Sequence, residues 1–175
     1  QKSKEFVSVN PNAAFPALID DDFILWESNA ILQYAAEKVG NTNAYPTDIR
    51  TRADINRWLL WESSSWFGSC YVYLVENCVK PLLGDTTDES IIANEQENFH
   101  KLASILDARL KNSTFLCGED PTIADVAVAA PMHLHQWAKL PLGDHPNLIR
   151  WMTQEIEKCI WWKETHIGEG FTVSE

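Results

Sequence analysis

The sequence predicts a small α/β unit followed by an all-helical domain. Two observations carry this: residues 1–45 mix short apolar runs with turn residues, and residues 46–175 read as a succession of helical periods. Length agrees, since 175 residues make one large domain, or a domain and a fragment, able to bury a core without disulfide or metal staples. The two units are placed at 1–42 and 47–175. Hydrophobic residues make up 45% against 22% charged, an ordinary globular balance. The net charge of −11 repels phosphate backbones and anionic lipid, so neither nucleic acid nor a membrane is expected as a partner.

In the first unit, Pro16-Ala17-Leu18-Ile19 is a short apolar run, Asp20-Asp21-Asp22 is turn chemistry, and Phe23-Ile24-Leu25 is a second β-prone run. This spells a hairpin. From Ser28 the period becomes helical through Ile31, Leu32, Ala35, Ala36 and Val39, and Gly40 supplies the stop. A lone hairpin under one helix is marginal in water and leaves its edges unpaired. The segment in front offers only Phe6, Val7 and Val9, so strands upstream of Gln1 are expected to belong here.

The second unit opens at Pro46 and meets no further proline until Pro81, room for two stacked helical segments or one long bent helix. A helix is expected to start at Thr86, with Glu89 completing a capping box, and to carry Ile92, Glu95, Phe99, Leu102, Leu106 and Leu110 along one stripe. Another starts at Thr122 and is kinked or ended by Pro131; a last one starts at Pro146, where a first-turn proline is preorganised. Together they form an all-helical bundle.

Cys70, Cys78, Cys117 and Cys159 show no CxxC spacing and sit in apolar or helical stretches, as reduced core thiols of a cytoplasmic protein do. The longest apolar run, Val126 to Met132, is far short of the roughly 20 residues that span a bilayer. No signal peptide is visible, but the chain opens on Gln1 without methionine, so an upstream segment is expected to be missing. His133 and His135 stand two apart on an expected helix and cannot form an i, i+4 metal pair; His100, His145 and His166 have no ligand cluster at suitable spacing, so no metal is expected.

Two places could carry chemistry. Glu27 and Ser28 lie where a strand gives way to a helix. First-turn N–H groups and the helix dipole make an anion site there, and Glu27 could hold an ammonium, so the pair suits the head group of an α-amino acid. Equally, Ser28 could be only a cap and Glu27 only a solvated acid. At Phe15-Pro16, a cis bond would leave the Phe15 N–H and C=O free to pair with an extended ligand; an ordinary trans proline is the plainer alternative.

The motifs taken in register resemble a family. Asn10-Pro11-Asn12 leading to Phe15-Pro16-Ala17-Leu18, then Leu25-Trp26-Glu27-Ser28-Asn29-Ala30-Ile31, then Phe115-Leu116-Cys117-Gly118 with Thr122-Ile123-Ala124-Asp125, and finally Pro146-Asn147-Leu148 with Trp151, resemble the cytosolic glutathione transferases over essentially the whole chain. The resemblance implies a partial thioredoxin-like domain followed by the family's all-helical domain. It implies that Pro16 is a cis proline, that the Phe15 backbone binds the cysteinyl part of glutathione, and that Glu27 and Ser28 hold the γ-glutamyl group. Thr122 and Asp125 match the family's capping box and are structural. The implied activity is attack of an activated glutathione thiol on small hydrophobic electrophiles, with glutathione as substrate, no metal, and a cytoplasmic homodimer active in detoxification.

The resemblance also marks departures. Ala13-Ala14 stand where relatives often carry a basic residue for the glycyl carboxylate, and Gln1 falls near the end of the family's second helix. The catalytic Tyr, Ser or Cys is therefore expected upstream, and no catalytic residue is nominated; its identity separates conjugation from thiol exchange. The electrophile is expected between the domains against Leu60, Ser64, Phe67 and Tyr71, spaced i, i+4, i+7 and i+11, a face that core packing would explain as well. Trp58, Trp61 and Trp66 read as core or interface, with Cys70 packed beside them. The rivals are a non-catalytic interaction module, like those of translation elongation factor gamma subunits and transcription-associated relatives, and a glutathione-dependent thiol reductase.

Overall fold

The computed structural model describes residues 3–40 and 43–165. A short helix, α1 (Lys4–Val9), capped by Ser3, precedes the hairpin; it lies where the resemblance put a helix end. Strands β1 (Ala17–Asp20) and β2 (Phe23–Trp26) pair antiparallel in the register Ala17↔Trp26 to Asp20↔Phe23. Asp21 takes φ 53° in the turn, a left-handed conformation that aspartate tolerates. Helix α2 (Ser28–Lys38) covers this sheet and stops at Gly40, whose φ of 68° no side chain would favour and whose N–H bonds Glu37 O at 3.0 Å. The hairpin exposes Ile19, Phe23 and Ile24, and Ala36 is the one buried apolar side chain described before Tyr45. The expected upstream strands would lie outside the described residues.

The proline-free stretch forms one continuous column. Asp48 caps α3 (Ile49–Trp61), accepting from Thr51 N at 2.9 Å. A π-helical segment, Glu62–Trp66, leads into α4 (Phe67–Leu74), and a second, Val75–Val79, leads into the single turn α5 (Lys80–Leu82). Each π segment closes i→i+5 rather than i→i+4 bonds, which inserts a residue and turns the helix face. Helix α6 (Glu89–Leu110) buries Phe99, Leu102, Leu106 and Leu110 as its stripe requires. Its cap is Asp88, whose carboxylate accepts from Ser90 N at 3.0 Å, not the expected Thr86. An aspartate two places closer to the apolar stripe outcompetes the Thr-x-x-Glu pattern because its ionised oxygen is the better acceptor.

Helix α7 (Ile123–Ala129) starts from the Thr122–Asp125 capping box and ends in a 3₁₀ turn, Ala130–Met132, where Pro131 stops the α ladder. Helix α8 (Pro146–Arg150) begins on its proline and runs into a π turn, Trp151–Glu155; α9 (Ile160–Thr165) closes the described chain. The core sits in the helical part, around fully buried Trp66, Phe99, Leu106, Leu116, Trp151 and Met152. Trp66 Nε1 donates to Val128 O at 3.0 Å, and Trp61 stacks on Trp66 with ring centroids 5.9 Å apart. Trp58, Trp66 and Cys70 are buried and Trp61 half-buried, which places the aromatic cluster in the core. His166 lies outside the described residues.

Candidate functional site

A cleft of about 580 Å³ opens where the loop before β1 and the start of α2 face the first π segment, the start of α4, and α7 with the turn after it. The loop is held by Asn10, which is buried. Its amide donates to Ala14 O at 2.7 Å, and its Oδ1 accepts from Asn12 N at 3.0 Å and Asn12 Nδ2 at 3.1 Å. Ala13 is held at φ 53°, and the Phe15–Pro16 peptide is cis. The Phe15 ring turns outward, 66% exposed, edge-on to Phe6 of α1, while Ala14, Phe15 and Pro16 line the cleft.

The second wall is the turn into α2. Glu27 sits at φ 76° and Ser28 is the first helical residue, with no side-chain cap on the helix. The expectation that Ser28 could serve as the cap is therefore corrected. The left-handed turn at Glu27 places Ser28 one position too late to reach back over the helix start. Uncapped, the first-turn N–H groups of this helix of 11 residues keep their positive field, and Glu27, Ser28 and Asn29 all line the cleft.

The far wall is joined to this turn by Asn29, whose Nδ2 donates to Leu59 O at 2.8 Å and to Glu62 Oε2 at 2.9 Å. Glu62 is 5% exposed, and burial raises its pKa above the usual carboxylate range against the pull of the Asn29 bond. Ser63 and Phe67 complete this wall, and Val126, Ala127 and Ala130 give α7 a small apolar face at the floor. That floor is fixed by Asp125, which is fully buried. It accepts from Thr122 N at 2.9 Å, Thr122 Oγ1 at 3.1 Å, Leu116 N at 2.8 Å and Trp151 Nε1 at 3.2 Å.

All four residues expected at the glutathione end, Phe15, Pro16, Glu27 and Ser28, line this one cleft. The electrophile face divides. Leu60, Ser64, Phe67 and Tyr71 are all exposed, which removes core packing as their role, but only Phe67 lines the cleft. The spacing assumed 3.6 residues per turn. In the π segment Phe67 N bonds Glu62 O, so Phe67 stands over Glu62 and Ser63 instead of Ser64. Tyr71 stacks on Phe67 at 5.4 Å outside the cleft lining.

Sequence reading missed Asn12, Asn29, Glu62 and Ser63. A signal for Glu62 existed, an acid inside the aromatic run Trp58 to Phe67, where a buried charge needs a reason. The four cysteines are free and none lines the cleft. Burial pushes the Cys70 thiol up far, Cys78 to about 11 and Cys117 to about 12, and raises Cys159, so each is a protonated thiol near neutrality. Among the described residues no cluster of three or more His, Cys, Asp or Glu could hold a metal ion, and no helix is long and apolar enough to cross a membrane.

Comparison with known proteins identifies the family and the fold. Residues 1–37 match the family model described as glutathione S-transferase, N-terminal domain, and residues 71–157 match glutathione S-transferase, C-terminal domain. Glutathione S-transferase D7 of Drosophila melanogaster is 30% identical over 171 residues, covering 94% of this chain and 71% of that protein. The crystal structure of glutathione transferase F7 from Populus trichocarpa superposes with a TM-score of 0.85 at 26% identity, over 98% of this chain and 82% of that one. A glutathione S-transferase-I bound with lactoylglutathione superposes with a TM-score of 0.83 at 25% identity, over 93% of this chain and 78% of that one.

Proposed function

Because the chain belongs to the glutathione S-transferase family, with a thioredoxin-like unit followed by an all-helical domain, we propose that it conjugates the glutathione thiol to small hydrophobic electrophiles in this cleft. The observation that carries the reading is the meeting of two walls: the Phe15–Pro16 backbone on one side and the uncapped start of α2, with Glu27 and Ser28, on the other. Ser28 and the first-turn N–H groups take the γ-glutamyl carboxylate, through bonds that are strong because the acceptor is charged. The Phe15 N–H and C=O pair with the cysteinyl residue as an added strand would. The electrophile enters against Phe67 and the small apolar floor of α7, while Leu60, Ser64 and Tyr71 are exposed outside the cleft lining.

The reading includes a division into 1–42 and 47–175, a cytoplasmic homodimer and a role in detoxification. The family matches at 1–37 and 71–157 fall on either side of that division. The group that activates the thiol is a Tyr, Ser or Cys whose identity is left open. The reductase alternative gains nothing from the four cysteines, which lie off the cleft as protonated thiols. The interaction-module alternative has one observation in its favour: Ala14 lines the cleft, and no Lys or Arg does so among the described residues, so the glycyl carboxylate meets no cation there.

Retention on immobilised glutathione, followed by a panel of aryl halide and epoxide electrophiles, tests the proposal. Binding with conjugate formation supports it. Neither binding nor turnover ends the enzyme reading, and binding without any turnover transfers the case to the module.

A further inference from the structure

The charge of the cleft is one-sided. Glu27 and Glu62 both line it, and among the described residues no Lys, Arg or His does. The two acids come from different walls, Glu27 from the turn into α2 and Glu62 from the π segment that leads to Phe67. Around them the whole chain carries a net charge of −11. A cleft lined by one sign of charge between low-dielectric walls focuses the field and speeds the capture of oppositely charged ligands by about 10–1,000-fold.

Glutathione does not cancel this charge. As a thiolate it brings two carboxylates, a sulfur anion and a single ammonium, so the filled cleft is more negative than the empty one. The uncapped first turn of α2 supplies a positive field, but in the proposed reading a carboxylate of glutathione takes it up. The second substrate therefore arrives in a negative potential. Glu62 responds to what arrives: burial favours its protonated form, and a neighbouring cation draws it back toward the carboxylate. Phe67 adds a preference of shorter range. Its ring stacks on Tyr71 with centroids 5.4 Å apart, and Tyr71 lies outside the cleft lining, so the opposite face of Phe67 is the one left for a ligand. An aromatic face attracts cations through its quadrupole.

We infer that the cleft selects its electrophile by charge, using cationic and neutral aryl acceptors and turning anionic ones away. This rests on the glutathione reading and narrows it, adding a sign to the apolar body of the second substrate. The charge acts on capture and leaves the bond chemistry unchanged. With an enone, the thiolate sulfur adds to the β-carbon, the π electrons move to the carbonyl oxygen as an enolate, and water supplies the proton. Nothing is oxidised or reduced, and no group leaves.

The test uses three benzylideneacetones that differ only in the para substituent: trimethylammonium, its uncharged isostere tert-butyl, and carboxylate. For each, kcat/KM is measured with the full protein at saturating glutathione and divided by the uncatalysed rate constant with glutathione in the same buffer, which removes differences in intrinsic reactivity. Both the cation and the tert-butyl compound should exceed the anion, the cation by about tenfold or more, and this ratio should shrink as salt is raised. Ala130→Lys adds a cation at an exposed position of the cleft lining and should cut the ratio at least about threefold. Leu60→Lys, equally exposed but outside the lining, should leave it in place. A smaller ratio in the wild type, an anion used as well as the tert-butyl compound, a ratio indifferent to salt, or one that Leu60→Lys lowers as much as Ala130→Lys each overturn the inference. Should Ala130→Lys fail to fold, the order in the wild type and its salt dependence still decide it. Turnover of all three without that order removes this inference and leaves the glutathione reading standing; turnover of none removes both.

Discussion

Asp125→Ala is expected to cost the protein most of its stability, and the size follows from the bonds the carboxylate holds. It is fully buried and accepts from Leu116 N, Thr122 N, Thr122 Oγ1 and Trp151 Nε1. The hydroxyl of Thr122 can rotate to another acceptor, but the three N–H groups are fixed. Each unsatisfied buried donor costs about 1–3 kcal/mol, which gives about 3–9 kcal/mol for the three, against a typical total of about 5–15 kcal/mol. Asp125→Asn keeps one oxygen but turns an NH₂ toward donors, so it should lose about half as much. The assay is urea unfolding followed by circular dichroism, reading the shift in midpoint at constant m value. The cleft should suffer with the fold, because the floor residues Val126, Ala127 and Ala130 follow directly on this box. A loss below about 1 kcal/mol for Asp125→Ala would refute the claim that this carboxylate organises three separate segments.

Further outcomes follow from the same bonds. Asp88→Ala should lower the midpoint of thermal unfolding by roughly 2–4 °C while Thr86→Ala leaves it in place, since Asp88 is the cap of α6; the reverse ranking would restore Thr86. His145 is buried, and its Nε2 lies 2.9 Å from Nδ1 of His100; burial, and then the neighbouring His100, hold its pKa below the ordinary 6.5 despite the opposing pull of Asp107 and Asp144. The unfolded chain therefore takes up a proton as pH falls through 6.5 while the folded chain does not until lower pH. Stability then declines with falling pH across that window, by at most one proton's worth of slope. Denaturation midpoints measured between about pH 5 and pH 7 should show this slope reduced in His145→Asn. For the second substrate, Phe67→Ala should raise KM for an apolar electrophile several-fold through lost apolar contact, whereas Leu60→Ala, outside the cleft, should leave KM unchanged.

Local patterns that involve one segment at a time were legible in the sequence. The hairpin around Asp21, the stop at Gly40, the Thr122–Asp125 box and the break at Pro131 each depend on residues within one or two turns, and each is found in place. The cis bond at Phe15–Pro16 came from family resemblance, not from local chemistry, which favoured trans. Caps were less legible: Thr86 and Asp88 both satisfy the pattern, and Ser28 looked like a cap because nothing in the sequence announces a left-handed Glu27. The face of the long column was misplaced for a related reason. A period count assumes uniform α-helix, and two π segments turn the face without leaving a compositional mark. The Asn29–Glu62 bond was invisible because it joins residues 33 apart that only the packing of α2 against α3 brings together.

The central claim is that the Phe15 backbone and the start of α2 form one ligand-binding surface. It is tested most directly by following backbone amide resonances while glutathione is titrated into the protein. The account predicts saturable shifts, sharing one dissociation constant, at the amides of Phe15, Ser28 and Asn29. Shifts that leave those three amides unmoved, or that report different affinities at the two walls, would contradict it.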